Sequence, residues 1–493
     1  MTTTPFLSKS KYLSGLQCPK LLWHYYNAKD EIPKPDAETQ AIFDQGHEVG
    51  ELAKKLYPDG IEVAKGLVDF DKVIEQTQKL ISERRPLFEA AFLYKNAYAR
   101  ADILNPAEDD GWDIVEVKSS TEVKDINLHD LSLQWYTYQG AGLSIKRCYI
   151  LHINNKYVRQ GDIDPRKLFA ITDVTEEVNR LRPSVERKLS DMTETIAGKT
   201  CPGVAIGTHC STPYECSLQY KCFSFLPRHN PLTLYHLNKE KAYTLIQQGV
   251  TDILSLGDRV ALSDRQKIQV ESLRSQKPYF DKNSIRAFLD TLEYPLYFID
   301  FETIAPAIPL FDNTKPYQAV PFQFSLHIQK LPGKDTEHHG YLADGKIDPR
   351  PELLELLKKY LGTRGSIVAY QASFEKEKLN RACEAFPEYA RWNEDIQNRI
   401  VDLIEPFRAY HYYHYDQCGS ASIKAVLPVL TGTGYDGMAI SEGGMASREF
   451  LRVTFSENVT EDERKAVRKN LEDYCTLDTM AMAEIVEKLR EMV

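Results

Sequence analysis

The sequence contains no apolar run that approaches the roughly 20 residues a helix needs to cross a bilayer. Its first residues, Met1-Thr-Thr-Thr-Pro5, also lack the basic and apolar regions of a secretory signal peptide. These two absences predict a cytoplasmic protein that makes no contact with a membrane.

An excess of basic residues is absent as well. The 493 residues include 61 Lys and Arg against 71 Asp and Glu, which gives a formal net charge of -10. This balance argues against a protein that coats nucleic acid by bulk attraction. It is compatible with a metal-dependent enzyme, because bound cations neutralise the carboxylates of such a site locally. A chain of this length exceeds a single hydrophobic core and predicts about two to four domains.

Closely spaced cysteine pairs are scarce among the nine cysteines, and structural disulfides are not expected in a reducing compartment. Four cysteines nevertheless fall in one short span, at Cys201, Cys210, Cys216 and Cys222. Zinc sites favour pairs separated by two to four residues, whereas five residues separate the last three cysteines from one another. Scattered reduced thiols and a [4Fe-4S] cluster held by four thiolates are the other interpretations.

A first acidic constellation lies around the stretch 112–120, which has the pattern of a strand. Strand side chains alternate, so Glu116 and Lys118 share one face. A second strand-like run, 98–104, is joined to it by a polar turn and brings Asp102 beside Glu116. Two carboxylates with a lysine can hold Mg²⁺ or Mn²⁺ and orient a water for attack on phosphorus. An isolated Glu-x-Lys is more often a solvated ion pair.

Further residues around this stretch favour the catalytic interpretation. Their order along the chain resembles the RecB-like branch of the PD-(D/E)XK nucleases, and it is carried by Glu89, Asp102, Glu116, Lys118, Gln134 and Tyr138. The resemblance implies that Asp102 and Glu116 bind metal and that Lys118 is the catalytic lysine. It also implies that Gln134 and Tyr138 lie on a helix against the substrate and the site. His47, on an early helix, would be a further metal ligand or a surface histidine.

The cysteines resemble those of the iron-sulfur subgroup of the same nucleases. In that subgroup one cysteine near the start and three after the catalytic core hold a structural [4Fe-4S] cluster. The resemblance implies Cys18, Cys210, Cys216 and Cys222 as ligands, with Cys201 in reserve.

Several helices are predicted from sequence periodicity. One covers 37–56 with an interruption at 46–50, and another runs unbroken over 174–196. Small helices between 229 and 292 indicate either a plain connector or a helix-hairpin-helix-like element that contacts a phosphate backbone.

A second acidic constellation starts at an apolar strand, 296–303, that places Asp300 and Glu302 on one face. A strand over 318–329 follows, then a buried strand that leads into a helix at Glu375. Near the end of the chain, Tyr474 and Asp478 are four residues apart and share one helical face.

This order resembles the DEDDy exonucleases of the ribonuclease H-like fold. The resemblance implies that Asp300, Glu302, Glu375 and Asp478 hold two divalent ions and that Tyr474 orients the attacking water. The family has aspartate where this chain has Glu375, and Asp402 is a reserve carboxylate. Lys424 is a candidate phosphate contact, and the aromatic run 410–415 would either stack on bases or pack in the core.

Together the two resemblances imply an α/β multi-domain nuclease. A restriction-endonuclease-like domain with an iron-sulfur clasp would cover 1–228, a helical connector 229–292, and a ribonuclease H-like mixed-sheet domain 293–493. The expected substrate is DNA with single-stranded ends, in repair or defence. The alternatives are a nucleic-acid-binding scaffold with one or both sites inactive, and an exonuclease that processes RNA.

Overall fold

The computed structural model describes residues 6–63 and 69–493 of a mixed α/β, multi-domain protein. The chain divides into two compact units. The first comprises residues 1–225 and 306–317, and the second comprises 226–305 and 318–493. Segment 306–317, which the sequence assigns to the second nuclease domain, thus packs with the first unit. Residues 1–5, on which the prediction of no signal peptide depends, lie outside the described residues.

The first unit consists of a mixed sheet flanked by helices. Its strands are β1 (Leu7–Ser8), β2 (Ile61–Glu62), β3 (Leu87–Tyr94), β4 (Ala97–Pro106), β5 (Trp112–Lys118), β6 (Ile145–Ile153) and β7 (Phe169–Asp173). Its helices are α1 (Lys9–Gln17), α2 (Pro19–Asn27), α3 (Ala37–Lys54), α4 (Phe70–Leu80), α5 (Asp125–Gly140), α6 (Pro165–Leu168), α7 (Thr175–Leu181), α8 (Val185–Ala197) and α9 (Gln219–Cys222).

The sheet of the first unit has the strand order β2-β3-β4-β5-β6-β7, and β1 pairs with the start of β4. Strands β3, β4 and β5 form an antiparallel meander, whereas β6 runs parallel to β5 after the crossover helix α5. Ile103 of β4 lies opposite Val115 of β5, which sets Asp102 close to Glu116. One apolar face of the sheet packs under α4 and α5, and the other packs under α3.

Two helical predictions for this unit are wrong in detail. Helix α3 runs without a break from Ala37 to Lys54, because Gly46 and Gly50 remain within regular helical hydrogen bonding. The helix predicted over 174–196 is instead divided by a 3₁₀ turn, Arg182–Ser184. Pro183 in that turn lacks the amide hydrogen that a continuous helix would need.

The second unit contains a five-stranded sheet, a two-stranded ribbon and ten helices among its described residues. The strands are β8 (Tyr279–Phe280), β9 (Leu296–Ile304), β10 (Val320–Gln329), β11 (Thr336–Leu342), β12 (Ile367–Ala369), β13 (Ile400–Asp402) and β14 (Tyr412–Tyr413). The helices are α10 (Lys239–Gln247), α11 (Asp264–Ser275), α12 (Lys282–Leu289), α13 (Arg350–Tyr360), α14 (Ala372–Glu384), α15 (Ala390–Gln397), α16 (Glu405–Arg408), α17 (Ile423–Thr431), α18 (Gly443–Phe455) and α19 (Glu461–Met492).

The larger sheet has the strand order β11-β10-β9-β12-β13. Strands β11, β10 and β9 are antiparallel neighbours, and β12 and β13 continue the sheet in parallel with β9. Apolar side chains cover both faces, with α19 on one side and α13 and α14 on the other. Buried hydrogen bonds fix α19 on β10: Gln323 donates to the carbonyl of Leu471 at 2.8 Å, and the Ser325 and Thr479 hydroxyls lie 2.6 Å apart.

The region 229–292 belongs to the second unit. Helices α10 and α11 enclose a small apolar core with the turns between them, and α12 packs into the core beneath the larger sheet. Among the helices described, none combines the length and the apolar character that a bilayer crossing requires.

Candidate functional site

The second unit brings three of the sequence-predicted carboxylates together. Asp300 and Glu302 project from the same face of β9, and Asp478 faces them from α19. Each of the three offers an oxygen, and these oxygens lie within 4.8 Å of one another. Oxygen ligands at this spacing suit a hard divalent cation. The sheet positions two of the ligands and the docked helix positions the third, so the geometry depends on rigid elements.

Glu375 lies in the wall of the same cavity, on the first turn of α14. It is 3 % exposed, and its Oε2 atom has no hydrogen-bond partner among the described residues. A buried carboxylate oxygen without a donor is costly, and a cation in the cavity would satisfy it. Asp402 does not line the cavity. Its carboxylate accepts hydrogen bonds from the backbone amides of Gln371 and Ile404, at 2.9 and 3.2 Å, and fixes the turn into α14.

Burial raises the pKa of all four carboxylates, and repulsion from neighbouring carboxylates adds to the rise at Asp300, Glu302 and Glu375. Burial, together with the charge of Asp478, raises the pKa of Asp300 to about 8. Burial raises the pKa of Asp478 to about 6, although a hydrogen bond from Tyr435 opposes the rise. Burial and the charge of Asp300 also raise the pKa of Glu302 and of Glu375 well above the ordinary range. A divalent cation would relieve this repulsion.

Two tyrosines and one lysine adjoin Asp478. The predicted Tyr474 lines the cavity, and Tyr435, which the sequence analysis missed, donates a short hydrogen bond from its hydroxyl to Asp478 Oδ1. Lys424 Nζ lies 5.7 Å from the centre of the Tyr435 ring and 5.8 Å from that of Tyr474. Tyr435 lies in the glycine-rich segment 432–437, where no periodic pattern marks it. Lys424, the candidate phosphate contact at the start of a helix, lines the same cavity.

Two helix starts form part of the cavity wall. Ser422, Ile423 and Lys424 open α17, and Gly443 and Gly444 open α18, all of them on the cavity wall. Free amide hydrogens at helix N-termini favour anions such as phosphate. The cavity is therefore lined both by carboxylates and by two helix N-termini with Lys424.

Three tyrosines of the aromatic run 410–415 are buried and do not supply rings for base stacking. Tyr410, Tyr412 and Tyr413 are 1 to 3 % exposed, and the Tyr410 and Tyr413 rings stack on each other with centroids 4.5 Å apart. Because their rings are buried, these residues belong to the packing of the second unit, and base stacking, one of the two interpretations, is not available to them.

The raised pKa of Asp300 predicts how stability depends on pH in protein freed of divalent ions. Between pH 3.8 and about 8 the folded protein holds a proton at Asp300 that the unfolded chain releases. Stability therefore falls as pH rises through this window, by at most about 1.4 kcal/mol per pH unit for one group. Asp300→Asn removes the titration, so its stability relative to wild type should increase with pH. Denaturant midpoints in EDTA at several pH values measure this, and a constant difference would contradict it.

In the first unit, Glu116 is the centre of a buried polar cluster and is 1 % exposed. Lys118 Nζ donates to Glu116 Oε1 at 2.6 Å, and Gln134 Nε2 donates to Glu116 Oε2 at 2.7 Å. The predicted lysine and the predicted helix glutamine thus both contact the predicted metal ligand. Asp102 lies alongside, with Oδ2 accepting from the amide of Val117 at 2.7 Å.

Two members of this cluster were missed from the sequence. Lys9 of α1 donates to the same oxygen of Glu116 as Lys118 does, at 2.5 Å. Asp130 of α5 accepts from Gln134 at 2.9 Å and lies 3.2 Å from Lys118 and 3.4 Å from Lys9. Asp130 precedes Gln134 by one helical turn, so its spacing was a usable signal. Lys9 lies 107 residues from Glu116 in the chain, and no local pattern links them.

The remaining predicted residues of the first unit take different positions. Glu89 lies near Asp102 and pairs with Arg100 at 2.7 Å. Tyr138 is fully buried, and its hydroxyl donates to the carbonyl of Ala90 at 2.8 Å. It therefore anchors α5 to β3 and cannot touch substrate. His47 is exposed on α3, and no described contact joins it to Glu116 or Asp102.

Within this cluster, burial and neighbouring charges raise the pKa of some groups and lower the pKa of others. Burial, followed by the charge of Glu116, raises the pKa of Asp102 to about 7. Burial opposes ionisation of Glu116 too, but Lys118 and Lys9 outweigh it and hold the pKa of Glu116 below its usual range. The pKa of Lys118 is raised despite its burial, because Glu116 and Asp130 stabilise the ammonium. The surroundings of Lys118 therefore favour its protonated form.

Four cysteines of the first unit converge on one small cavity. Its lining includes Cys18, Cys210, Cys216 and Cys222, with Cys201 absent from the lining. Among the described residues, no three of these sulfurs lie within 4.8 Å of one another. A single zinc ion with bonds of about 2.3 Å requires sulfurs within about 4.6 Å of one another, so the four thiols do not form a zinc site in this arrangement.

Hydrogen bonds from two glutamine side chains hold the cysteine-containing segment 209–222 in place. Gln17 of α1 donates to the carbonyls of His209 and Tyr214 at 2.9 and 2.6 Å, and Gln219 donates to the carbonyl of Cys210 at 2.6 Å. Cys201 lies outside and contacts His24 Nδ1 at 3.8 Å. The start of the unit is thereby tied to the segment that follows α8.

Comparison with known proteins gives a match over residues 297–422 to a family described as "Domain of unknown function (DUF2779)". That segment contains Asp300, Glu302 and Glu375 and ends before Tyr474 and Asp478. The chain is also 24 % identical over 242 residues to "Uncharacterized protein MG366" of Mycoplasma genitalium, a match that covers 45 % of this chain and 36 % of that protein. It is 22 % identical over 231 residues to "Uncharacterized protein MG366 homolog" of Mycoplasma pneumoniae, covering 43 % of this chain and 34 % of that protein. The chain thus matches about a third of the length of these relatives.

Proposed function

We propose that this protein is a metal-dependent nuclease with two hydrolytic sites, and that the second unit acts as a DEDDy-like 3′-to-5′ exonuclease. One observation carries the proposal: Asp300, Glu302, Glu375 and Asp478 line one open cavity, and one buried oxygen of Glu375 has no partner among the described residues. The strand order β11-β10-β9-β12-β13 supports a ribonuclease H-like fold for this unit.

The residues that line the carboxylate cavity of the second unit suit phosphodiester hydrolysis. Divalent ions such as Mg²⁺ or Mn²⁺, when bound, supply charge stabilisation for an in-line displacement at phosphorus. Asp300, Glu302, Glu375 and Asp478 would hold them. Lys424 and the helix starts at Ser422 and Gly443 would receive the phosphate oxygens. Tyr474 would orient the attacking water beside Asp478.

The buried polar cluster of the first unit would be a second hydrolytic site, of the RecB-like PD-(D/E)XK type. Glu116 and Asp102 would be its metal ligands, Lys118 would balance the charge of the phosphate, and Gln134 would hold Glu116 in position. Lys9 and Lys118 both donate to Oε1 of Glu116. Because this oxygen already has two cationic partners, the first site is less open to a metal ion than the carboxylate cavity of the second unit.

We infer that the cysteine cavity would hold a [4Fe-4S] cluster through Cys18, Cys210, Cys216 and Cys222, an inference supported by the four thiols that line one cavity. Such a cluster would be structural. We expect about four iron and four sulfide per chain in anaerobically prepared protein. Cys216→Ser should lower both contents, whereas the outlying Cys201→Ser should not. Iron and sulfide assays measure this, and full occupancy in Cys216→Ser would contradict the ligand assignment.

The rival proposal is a nucleic-acid-binding scaffold without activity, for which the replacement of aspartate by Glu375 is the support. The test uses single strands labelled at either end, with Mg²⁺, Mn²⁺ or EDTA. Metal-dependent cleavage supports the nuclease, and binding without cleavage supports the scaffold. Preferential cleavage of strands with ribose at the end would support RNA processing instead of DNA hydrolysis.

A further inference from the structure

A second groove in the second unit adjoins the carboxylate cavity. It is formed by residues 232–236, by Ile404 and Arg408 at α16, and by residues 418–422. Gln371 and Ser422 line both the groove and the carboxylate cavity, so the two are adjacent. The groove contains about 810 Å³ of empty space, part of which is open solvent.

The chemical character of the groove is opposite to that of the cavity beside it. None of its lining residues is aspartate or glutamate, although the chain carries a net charge of -10. The lining instead presents the guanidinium of Arg408, the rings of Tyr235 and His236, and the hydroxyls of three small side chains, Thr233, Ser420 and Ser422. The Tyr235 and His236 ring centroids are 4.3 Å apart.

A second arginine adds positive charge beside the Tyr235 ring. Arg265 of α11 lies 5.7 Å from the centre of the Tyr235 ring, and its Nη1 is 3.4 Å from the Tyr235 hydroxyl. Arg408 pairs with Glu405 at 3.2 Å, but both side chains are exposed, 42 % and 55 %. An exposed pair of this kind contributes about 1 kcal/mol or less, so Arg408 can exchange Glu405 for a phosphate.

The shape of the groove is fixed by tertiary packing. His236, Gln371 and Cys418 line it with left-handed backbones, at φ of 50°, 67° and 49°. Non-glycine residues held in this conformation are uncommon and concentrate at functional sites. Gly419, at φ 78°, follows Cys418, and a side chain there would place its Cβ 2.3 Å from the carbonyl of Thr233. The groove wall is therefore closely packed and needs glycine at this position.

We propose that this groove, the strand groove, binds the nucleotides of a single-stranded nucleic acid that precede the scissile phosphate. This inference rests on the proposed function, because it uses the carboxylate cavity as the place of cleavage. Rings that accept bases and cations that accept phosphates are the parts that hold unpaired strands. The strand groove offers both, directly beside the carboxylates. Residues 232–236, from the region predicted to be a connector, thereby become part of the substrate site.

The test compares two substrates, oligothymidylate and p-nitrophenyl thymidine 5′-phosphate. The ester is short enough to occupy only the carboxylate cavity, whereas the oligonucleotide also reaches the strand groove. The variant is His236→Asn with Arg408→Gln, since asparagine tolerates the left-handed backbone at 236. We expect its kcat/KM for the oligonucleotide, relative to that for the ester, to fall by about 10- to 100-fold, because one base stack contributes about 1 to 3 kcal/mol. Arg274→Gln on the exposed side of α11 is the matched control and should leave the ratio unchanged.

A binding measurement separates the groove from catalysis. Fluorescence anisotropy with labelled oligothymidylate, in EDTA and in the Asp300→Asn background, should show weaker binding and a shallower salt dependence when His236 and Arg408 are replaced. An unchanged substrate ratio together with unchanged binding would overturn the strand groove. Equal binding of labelled polyglutamate would also overturn it, in favour of an acidic protein partner. Failure of the wild-type protein to hydrolyse either substrate would instead overturn the proposed function.

Discussion

Asp300→Asn is expected to lower metal-dependent release of nucleotides from the 3′ end of a labelled single strand by on the order of 10³-fold, because a bound ion contributes several kcal/mol and each 1.4 kcal/mol is tenfold in rate. The substitution preserves the shape of the side chain and removes its charge. Since the oxygens of Asp300, Glu302 and Asp478 lie within 4.8 Å of one another, the loss of one charge weakens the binding of an ion that all three share.

The electrostatics of the site make this variant easy to interpret. Asp300 is repelled by Asp478, so its neutralisation should not destabilise the metal-free protein at neutral or alkaline pH. A loss of activity with an unchanged or raised denaturation midpoint therefore reports on metal chemistry. Asp344→Asn is the control, because the Asp344 side chain is fully exposed after β11. Wild-type rates in Asp300→Asn would contradict a catalytic role for this cavity.

Lys118→Met is expected to lower cleavage by the first unit by about 10²- to 10³-fold, the usual effect of removing a group that stabilises developing charge. The measurement is made in the Asp300→Asn background, so that the second unit contributes little. Lys118 lies 2.6 Å from Glu116 and 3.2 Å from Asp130, and its raised pKa keeps it charged throughout the neutral range. Its removal takes a permanent cation from the place where the phosphate would lie.

Lys9→Met is the matched comparison, because Lys9 contacts the same oxygen of Glu116. Breaking a buried ion pair costs about 3 to 5 kcal/mol when no other partner remains. When either lysine is replaced, the other still pairs with Glu116. Both variants should therefore lose less than about 3 kcal/mol of folding stability. If Lys118 only held Glu116 in place, the two variants would lose activity equally. We expect cleavage to persist in Lys9→Met, with tighter binding of Mn²⁺ at the first site.

The proximity of candidate site residues could be predicted from the sequence where they lie on neighbouring elements of the chain. Asp102, Glu116 and Lys118 come from two strands joined by a short turn, so alternation and the turn together predicted their proximity. Tyr474 and Asp478 needed only helical spacing. Glu375 was implied by the resemblance to the DEDDy exonucleases. That its Oε2 atom lacks a partner among the described residues could be seen only in the folded chain.

The residues that escaped prediction depend on distant contacts. Lys9 reaches Glu116 across 107 residues, and Tyr435 reaches Asp478 across 43. Neither residue has a local pattern, since the pairing of α1 with the sheet and the path of a glycine-rich loop are set by tertiary packing. The aromatic run 410–415 shows the opposite case. Its composition allowed two interpretations, and only burial distinguishes packing from stacking.

The segment 306–317 connects β9 to β10 in the second unit, yet it packs with the first, where Ala307 is fully buried in an apolar cluster. The polypeptide consequently passes from one body to the other three times. A fragment that ends at residue 225 would lack segment 306–317 and with it part of the core of the first unit. A fragment that starts at residue 226 would carry segment 306–317 without the first unit, so the apolar side chains of that segment would be exposed to solvent. Isolating either half by a single cut should therefore yield insoluble material, so dissection of this protein calls for point substitutions in the intact chain.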